Sequence, residues 1–159
     1  MITKKALVFD MDGTLNDFYG VSGWLEDLQN ENVRPYVMAN PKVDIITLNG
    51  ILEVFRNIGW KIIVTSWLAK NSSEDFKEVT RQVKKDWLKR YEIPYDEIHL
   101  VAYGTTKANC SRDKADYQIL IDDNEEIRKG WSLGDTINAN EDIIKALSDI
   151  LLKELDNVG

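Results

Sequence analysis

The sequence carries one cysteine, Cys110, one histidine, His99, and three prolines in 159 residues. A lone cysteine cannot close an internal disulfide, and a lone histidine without a cysteine pair cannot assemble a zinc site of the usual kind. No window approaches about 18 consecutive apolar residues, so no segment reads as a membrane span. The apolar run behind Met-Ile-Thr-Lys-Lys is too short for a secretory signal. An excess of positive charge is missing as well: 20 Lys and Arg face 27 Asp and Glu, for a net charge of -7. That is the wrong sign for wrapping long nucleic acid or lying on an anionic bilayer. These absences predict a soluble protein of a reducing, cytoplasmic compartment, with small molecules as partners.

What remains is an ordinary globular composition, 43% hydrophobic and 30% charged, over a length suited to one domain spanning residues 1–159. Ala6–Phe9, Lys61–Val64, Ile98–Ala102 and Tyr117–Ile121 are short runs rich in Ile, Val and Leu without polar alternation. They read as parallel strands covered on both faces. Between and after them lie helical patterns: Leu48, Leu52, Phe55 and Ile58 ahead of Gly59; Phe76, Val79, Val83, Trp87 and Tyr91 behind a Ser72/Asp75 capping box; and Ile143 to Leu151 behind an Asn140 cap. Strands alternating with helices predict the α/β class, a Rossmann-like, mostly parallel sheet flanked by helices. Residues 17–43 break the alternation and read as a small insert after the first strand, with Trp24, Leu25 and Leu28 on a short helix.

In open α/β sheets ligands collect beyond the carboxyl ends of the strands. There this sequence places Asp10-Met-Asp12-Gly-Thr, Thr65-Ser66, Gly104-Thr-Thr-Lys107 and Asp122-Asp123-Asn124. Converging carboxylates repel one another, and a bound cation relieves this; oxygen-only ligands suit Mg²⁺. The set fits phosphoryl transfer to a carboxylate. Asp10 attacks phosphorus, Lys107 neutralises phosphoryl oxygens, and Asp12 carries the proton to and from the leaving side. Thr65, assisted by Ser66, donates to the phosphoryl group. Asp10, Asp122 and the Asp12 carbonyl ligate the metal, while Asp123 holds the metal's water or orients Lys107. Trp67, next after the Thr-Ser pair, either walls the substrate pocket or packs.

Taken in order, Asp-Met-Asp-Gly-Thr, Ile-Val-Thr-Ser, a lysine and Leu-Ile-Asp-Asp resemble the four motifs of the haloacid dehalogenase superfamily over residues 6–123. Within it, Asp10-Met-Asp-Gly-x-Leu-x-Asp-Phe18 and Leu-Ile-Asp-Asp-Asn look like the 5'(3')-deoxyribonucleotidases and related phage and bacterial proteins. The resemblance implies a Mg²⁺-dependent phosphatase with an aspartyl-phosphate intermediate and a minimal cap over residues 17–43. Its substrate is then a phosphate monoester, specifically a nucleoside monophosphate, with Phe18 against the base and Trp24 and Tyr36 as analogues of cap aromatics. The insert is shorter than in those nucleotidases. A sugar phosphate or a 3'-phosphorylated nucleic-acid end is therefore an open alternative, and Lys114 an alternative to Lys107.

Other readings compete. An EF-hand counted from Asp10 fails, because Leu15 falls where glycine belongs and Val21 where the bidentate glutamate belongs. A phosphoaspartate receiver module shares the residue types but has its lysine last, whereas Lys107 precedes Asp122. Trp60 and Trp87 read as core residues and His99 as structural. Cys110 reads as passive. The lysines and arginines from Lys77 to Arg90 alternate with acids like a solvated helix face and are assigned no ligand.

Overall fold

In the computed structural model, which describes residues 3–158, all four expected strands form and a fifth joins them. They are β1 (Lys5–Phe9), β2 (Lys61–Trp67), β3 (Glu97–Val101), β4 (Tyr117–Asp122) and β5 (Thr136–Asn138), all parallel, in the order β3-β2-β1-β4-β5. The sheet is thus the expected Rossmann-like α/β architecture. β1, β2 and β4 are central and almost wholly buried, as their Ile-Val-Leu content requires. β3 differs from expectation: it is an edge strand, half-buried along its length, and begins at Glu97. β5 escapes sequence reading because three residues carry no periodicity.

Alternate residues of the central strands feed two cores. On one face Leu7, Phe9, Ile62, Val64, Ile119 and Ile121 pack under α3 (Ile45–Asn57) and α7 (Ile143–Val158). On the other, Ala6, Val8, Ile63 and Leu120 meet Ala108 and Trp131, beside the short helices α5 (Lys107–Ser111) and α6 (Glu125–Lys129). α3 starts behind Asp44, which accepts from the Thr47 amide, and stops before Gly59, whose φ of +97° suits a helix C-terminus.

Two helix starts and one stripe depart from expectation. α4 (Glu74–Arg90) is capped by Ser73, not Ser72, its side chain accepting from the Phe76 amide at 3.1 Å; Ser72 instead donates to the Ala69 carbonyl. The buried stripe of α4 is Phe76, Thr80, Lys84, Trp87 and Leu88, while Val79 is exposed. α7 begins at Ile143, where Asp142 accepts from the Lys145 amide at 3.0 Å. Asn140 donates instead to the Asp123 carbonyl.

Residues following β1 form a 3-10 turn (Phe18–Gly20) and two short helices, α1 (Trp24–Gln29) and α2 (Arg34–Met38). Phe18 and Tyr36 bury against Phe76 of α4, and the Trp87 indole donates to the Ala39 carbonyl at 2.9 Å. Glu31 receives both the amide and the hydroxyl of Ser73. No helix among the described residues is long and apolar enough to cross a membrane.

Candidate active site

The sheet register explains why distant acids converge. Val8 pairs with Ile63 on one side and Leu120 on the other. Two residues further on, on the same face, that row becomes Thr65, Asp10 and Asp122. β2 runs on to Trp67, so the Thr-Ser pair lies inside the strand and not after it.

Asp10 is 6% exposed and fixed at both oxygens: Lys107 Nζ donates to Oδ1 at 2.8 Å and Thr14 Oγ1 to Oδ2 at 3.0 Å. Lys107, the first residue of α5, also donates to Asp122 Oδ2 at 2.8 Å. Lys114 is elsewhere, 3.2 Å from Glu97, so of the two lysines Lys107 alone reaches the carboxylates. Asp122 Oδ1 accepts from the Asn124 amide at 3.0 Å. Carboxylate oxygens of Asp10, Asp122 and Asp123 lie within 4.8 Å of one another, an oxygen donor set that fits a hard divalent cation such as Mg²⁺.

Crowding shows in the acidities. Burial, then a hydrogen bond to Asp10 and the charges of Asp10 and Asp122, push the Asp123 carboxyl from 3.8 to about 8. Burial and the Asp10 charge likewise raise Asp122, against the pull of Lys107. Burial works to lower the Lys107 ammonium, but Asp10 and Asp122 hold it above its ordinary value. A raised carboxyl means that the folded protein keeps a proton which the unfolded chain has already lost. Its stabilising contribution is complete below about pH 4 and is lost as pH rises toward about 8. The metal-free protein is therefore expected to melt at lower temperature near pH 9 than near pH 5 in EDTA. Excess MgCl₂ should close the gap, and paired thermal melts check this.

The loop after β1 is wound tightly enough to fit these acids. The Met11 carbonyl accepts from the amides of Thr14, Leu15 and Asn16. Gly13 has a φ of +83°, and a Cβ there would stand 2.4 Å from Asp123 Oδ2 and 2.9 Å from the Tyr19 ring. Only glycine lets the carboxylate come so near. Asn16, fully buried, accepts from the Gly13 and Phe18 amides and donates to Asp12 Oδ1 at 3.1 Å.

Above the carboxylates lies a cavity of about 610 Å³. Asp10, Asp12, Ser66, Lys107, Asp122 and Asp123 line its floor. One wall is aromatic: Phe18 contacts Tyr19, Trp24 and Tyr36 with ring centroids 5.2, 5.5 and 4.7 Å apart. The lining also includes Trp67, whose ring lies 4.9 Å from Tyr103 and whose indole donates to the Thr105 carbonyl. Thr65 is fully buried and does not line the cavity; its Oγ1 has no hydrogen-bond partner among the described residues.

Sequence reasoning missed Lys84, which was assigned to a solvated face. It is completely buried and donates to Asp12 Oδ2 at 2.8 Å. The signal was its position four residues after Thr80 and three before Trp87, on the inward stripe. Asn16 and Tyr103 were also missed, since a loop asparagine and an isolated tyrosine carry no pattern. Cys110 is half-buried on α5; burial pushes its thiol up, away from nucleophilic character. His99 lies on β3, 3.4 Å from Glu97.

Solved structures share this fold. A chain of the Pnkp1/Rnl/Hen1 complex matches with a TM-score of 0.59 at 17% identity, over 86% of this chain and 46% of that one. A chain of the Pnkp1/Rnl/Hen1 RNA repair complex gives 0.56 at 19%, over 86% and 43%. D,D-heptose 1,7-bisphosphate phosphatase from Burkholderia thailandensis gives 0.55 at 12%, over 93% and 99%. The protein thus spans less than half the length of the two complex chains and nearly all of the phosphatase. No family model matches the sequence, and no curated protein does.

Proposed function

We propose that this protein is a Mg²⁺-dependent phosphomonoester hydrolase that works through an aspartyl phosphate, with nucleoside monophosphates as substrates. The observation that carries the chemistry is Asp10, oriented by Thr14 and Lys107 at the floor of a cavity beside Asp122 and Asp123. The similarity in fold to a bisphosphate phosphatase supports it.

An Asp10 oxygen forms a bond to phosphorus as the ester P–O bond breaks, and the departing oxygen takes a proton from Asp12. Water then attacks the phosphorus of the acyl phosphate and gives its proton to Asp12, the Asp10–phosphorus bond breaks, and inorganic phosphate is released. Lys107 offsets negative charge between Asp10 and the phosphoryl oxygens, and Ser66 supplies a hydroxyl donor. Asp10, Asp122 and Asp123, with the Asp12 carbonyl, would hold Mg²⁺, whose charge would let an anionic nucleophile meet an anionic phosphate.

The nucleotide reading rests on cavity size and on the aromatic lining, which suits a planar base. Residues 17–43 act in this reading as the cap, contributing Phe18, Trp24 and Tyr36. A second reading, a 3'-phosphorylated nucleic-acid end, is favoured by an adjoining cavity of about 420 Å³ that shares Trp67, Tyr103 and Lys107 with the first. A panel of deoxy- and ribonucleoside monophosphates, sugar phosphates and 3'-phosphorylated oligonucleotides, ranked by kcat/KM with MgCl₂, separates them. The expected winner is a mononucleotide by at least about tenfold. A flat profile would remove the nucleotidase assignment and leave the hydrolase in place.

A further inference from the structure

Lys84 lies in the middle of α4 with no exposed surface, and its ammonium meets three acceptors: Asp12 Oδ2 at 2.8 Å, Ser66 Oγ at 2.8 Å and the Trp67 carbonyl at 2.9 Å. Its Nζ also stands 5.0 Å from the centre of the Tyr36 ring. Burying an ammonium is costly even when all its protons are taken, and a buried ion pair replaced as a whole by apolar residues of similar volume is commonly as stable or more so. α4 is already anchored by Phe76, Trp87 and Leu88. Packing therefore does not account for a lysine here, whereas its partners do.

Asp12 is gripped from two directions, Lys84 at Oδ2 and Asn16 at Oδ1, so neither carboxylate torsion is free. Ser66 accepts from Lys84, which leaves the single hydroxyl proton of this cavity-lining residue to be donated elsewhere. We infer that Lys84 is a positioning residue that sets Asp12 for proton transfer to the leaving oxygen and turns the Ser66 hydroxyl toward the phosphoryl group. This rests on the hydrolase reading above, with Asp12 as proton carrier: its carboxyl proton passes to the ester oxygen as the P–O bond breaks.

Leaving-group dependence tests it. p-Nitrophenolate departs without needing a proton, whereas the alkoxide of a nucleoside or glycerol phosphate needs one. Lys84→Met is expected to lower kcat/KM, which reports phosphoryl transfer to Asp10 before water attacks, by about 100-fold or more on an alkyl phosphate and by less than about tenfold on p-nitrophenyl phosphate. In an Asp12→Asn background the same change should cost no more on the alkyl substrate than it costs on p-nitrophenyl phosphate, since only the Ser66 hydroxyl is then left to misplace. Should Lys84→Met fail to fold, Lys84→Arg keeps the charge while spreading its donors over a planar fork, and is expected to show the same skew at about tenfold. Equal losses on both substrates, or a full second loss in the Asp12→Asn background, would overturn the inference. A wild-type protein that hydrolyses neither substrate would instead sink the hydrolase reading, and the role of Lys84 with it.

Discussion

Asp10→Asn is expected to lower phosphatase turnover by at least about 10⁴-fold, because an amide oxygen cannot form and release the acyl phosphate. The replacement is nearly isosteric. Its carbonyl can still accept from Lys107, and the Thr14 hydroxyl can reverse to accept from the new amide. Removing one charge from the acidic group also takes away the part of the Asp123 shift that Asp10 supplies, while burial and the Asp122 charge remain. The variant should therefore be folded and, free of metal near pH 8, melt no lower than the wild type. Phosphate release from p-nitrophenyl phosphate and from the best nucleotide, alongside thermal melts, checks both halves. Turnover within tenfold of wild type in a folded variant would place the nucleophile elsewhere.

The second large effect is on stability. Lys107 is the cation that joins Asp10 and Asp122, and all three side chains are nearly inaccessible to water. Breaking such an arrangement from the cationic side leaves buried carboxylates facing each other without compensation. Lys107→Met is expected to destabilise the metal-free protein by about 3–5 kcal/mol, which for a chain of this size lowers the melting temperature by roughly 6–20 °C. Excess MgCl₂ should recover part of this loss and stabilise the variant more than the wild type, since the added cation replaces the missing charge. Turnover stays low even with the metal, because the donor to Asp10 is gone. Melts with EDTA and with MgCl₂ test the expectation; a variant melting with the wild type in EDTA would show that the pair contributes no net stability.

Much of this was legible in the sequence for identifiable reasons. The three central strands declared themselves because burial on both faces leaves no polar alternation, and Asp10 and Asp123 followed from where β1 and β4 stop. Asp10, Asp12, Lys107, Asp122 and Asp123 meet as their strand-end positions imply, and Trp67 proves to line the cavity. What stayed hidden depends on rotation about a helix or on a partner elsewhere in the chain. Lys84 is one of several cations on α4, and only the inward side of the helix distinguishes it. The apolar residues Val79 and Val83 suggested a stripe about one position off, and that small error turned a buried lysine into a surface one. Thr65 and Ser66 pose a similar problem: neighbours in a strand face opposite ways, and only the structure shows that Ser66 lines the cavity and Thr65 does not.

The edges of the sheet carry a consequence for behaviour in solution. A strand with a free side offers its amides and carbonyls as a template for another chain, and self-association through added strands is the usual hazard. Here β5 is three residues long, and β3 presents Glu97 between Lys61 and Lys114. Neither edge offers a long, apolar ribbon, so a neighbour adding a strand on either side would gain only a short ladder of hydrogen bonds.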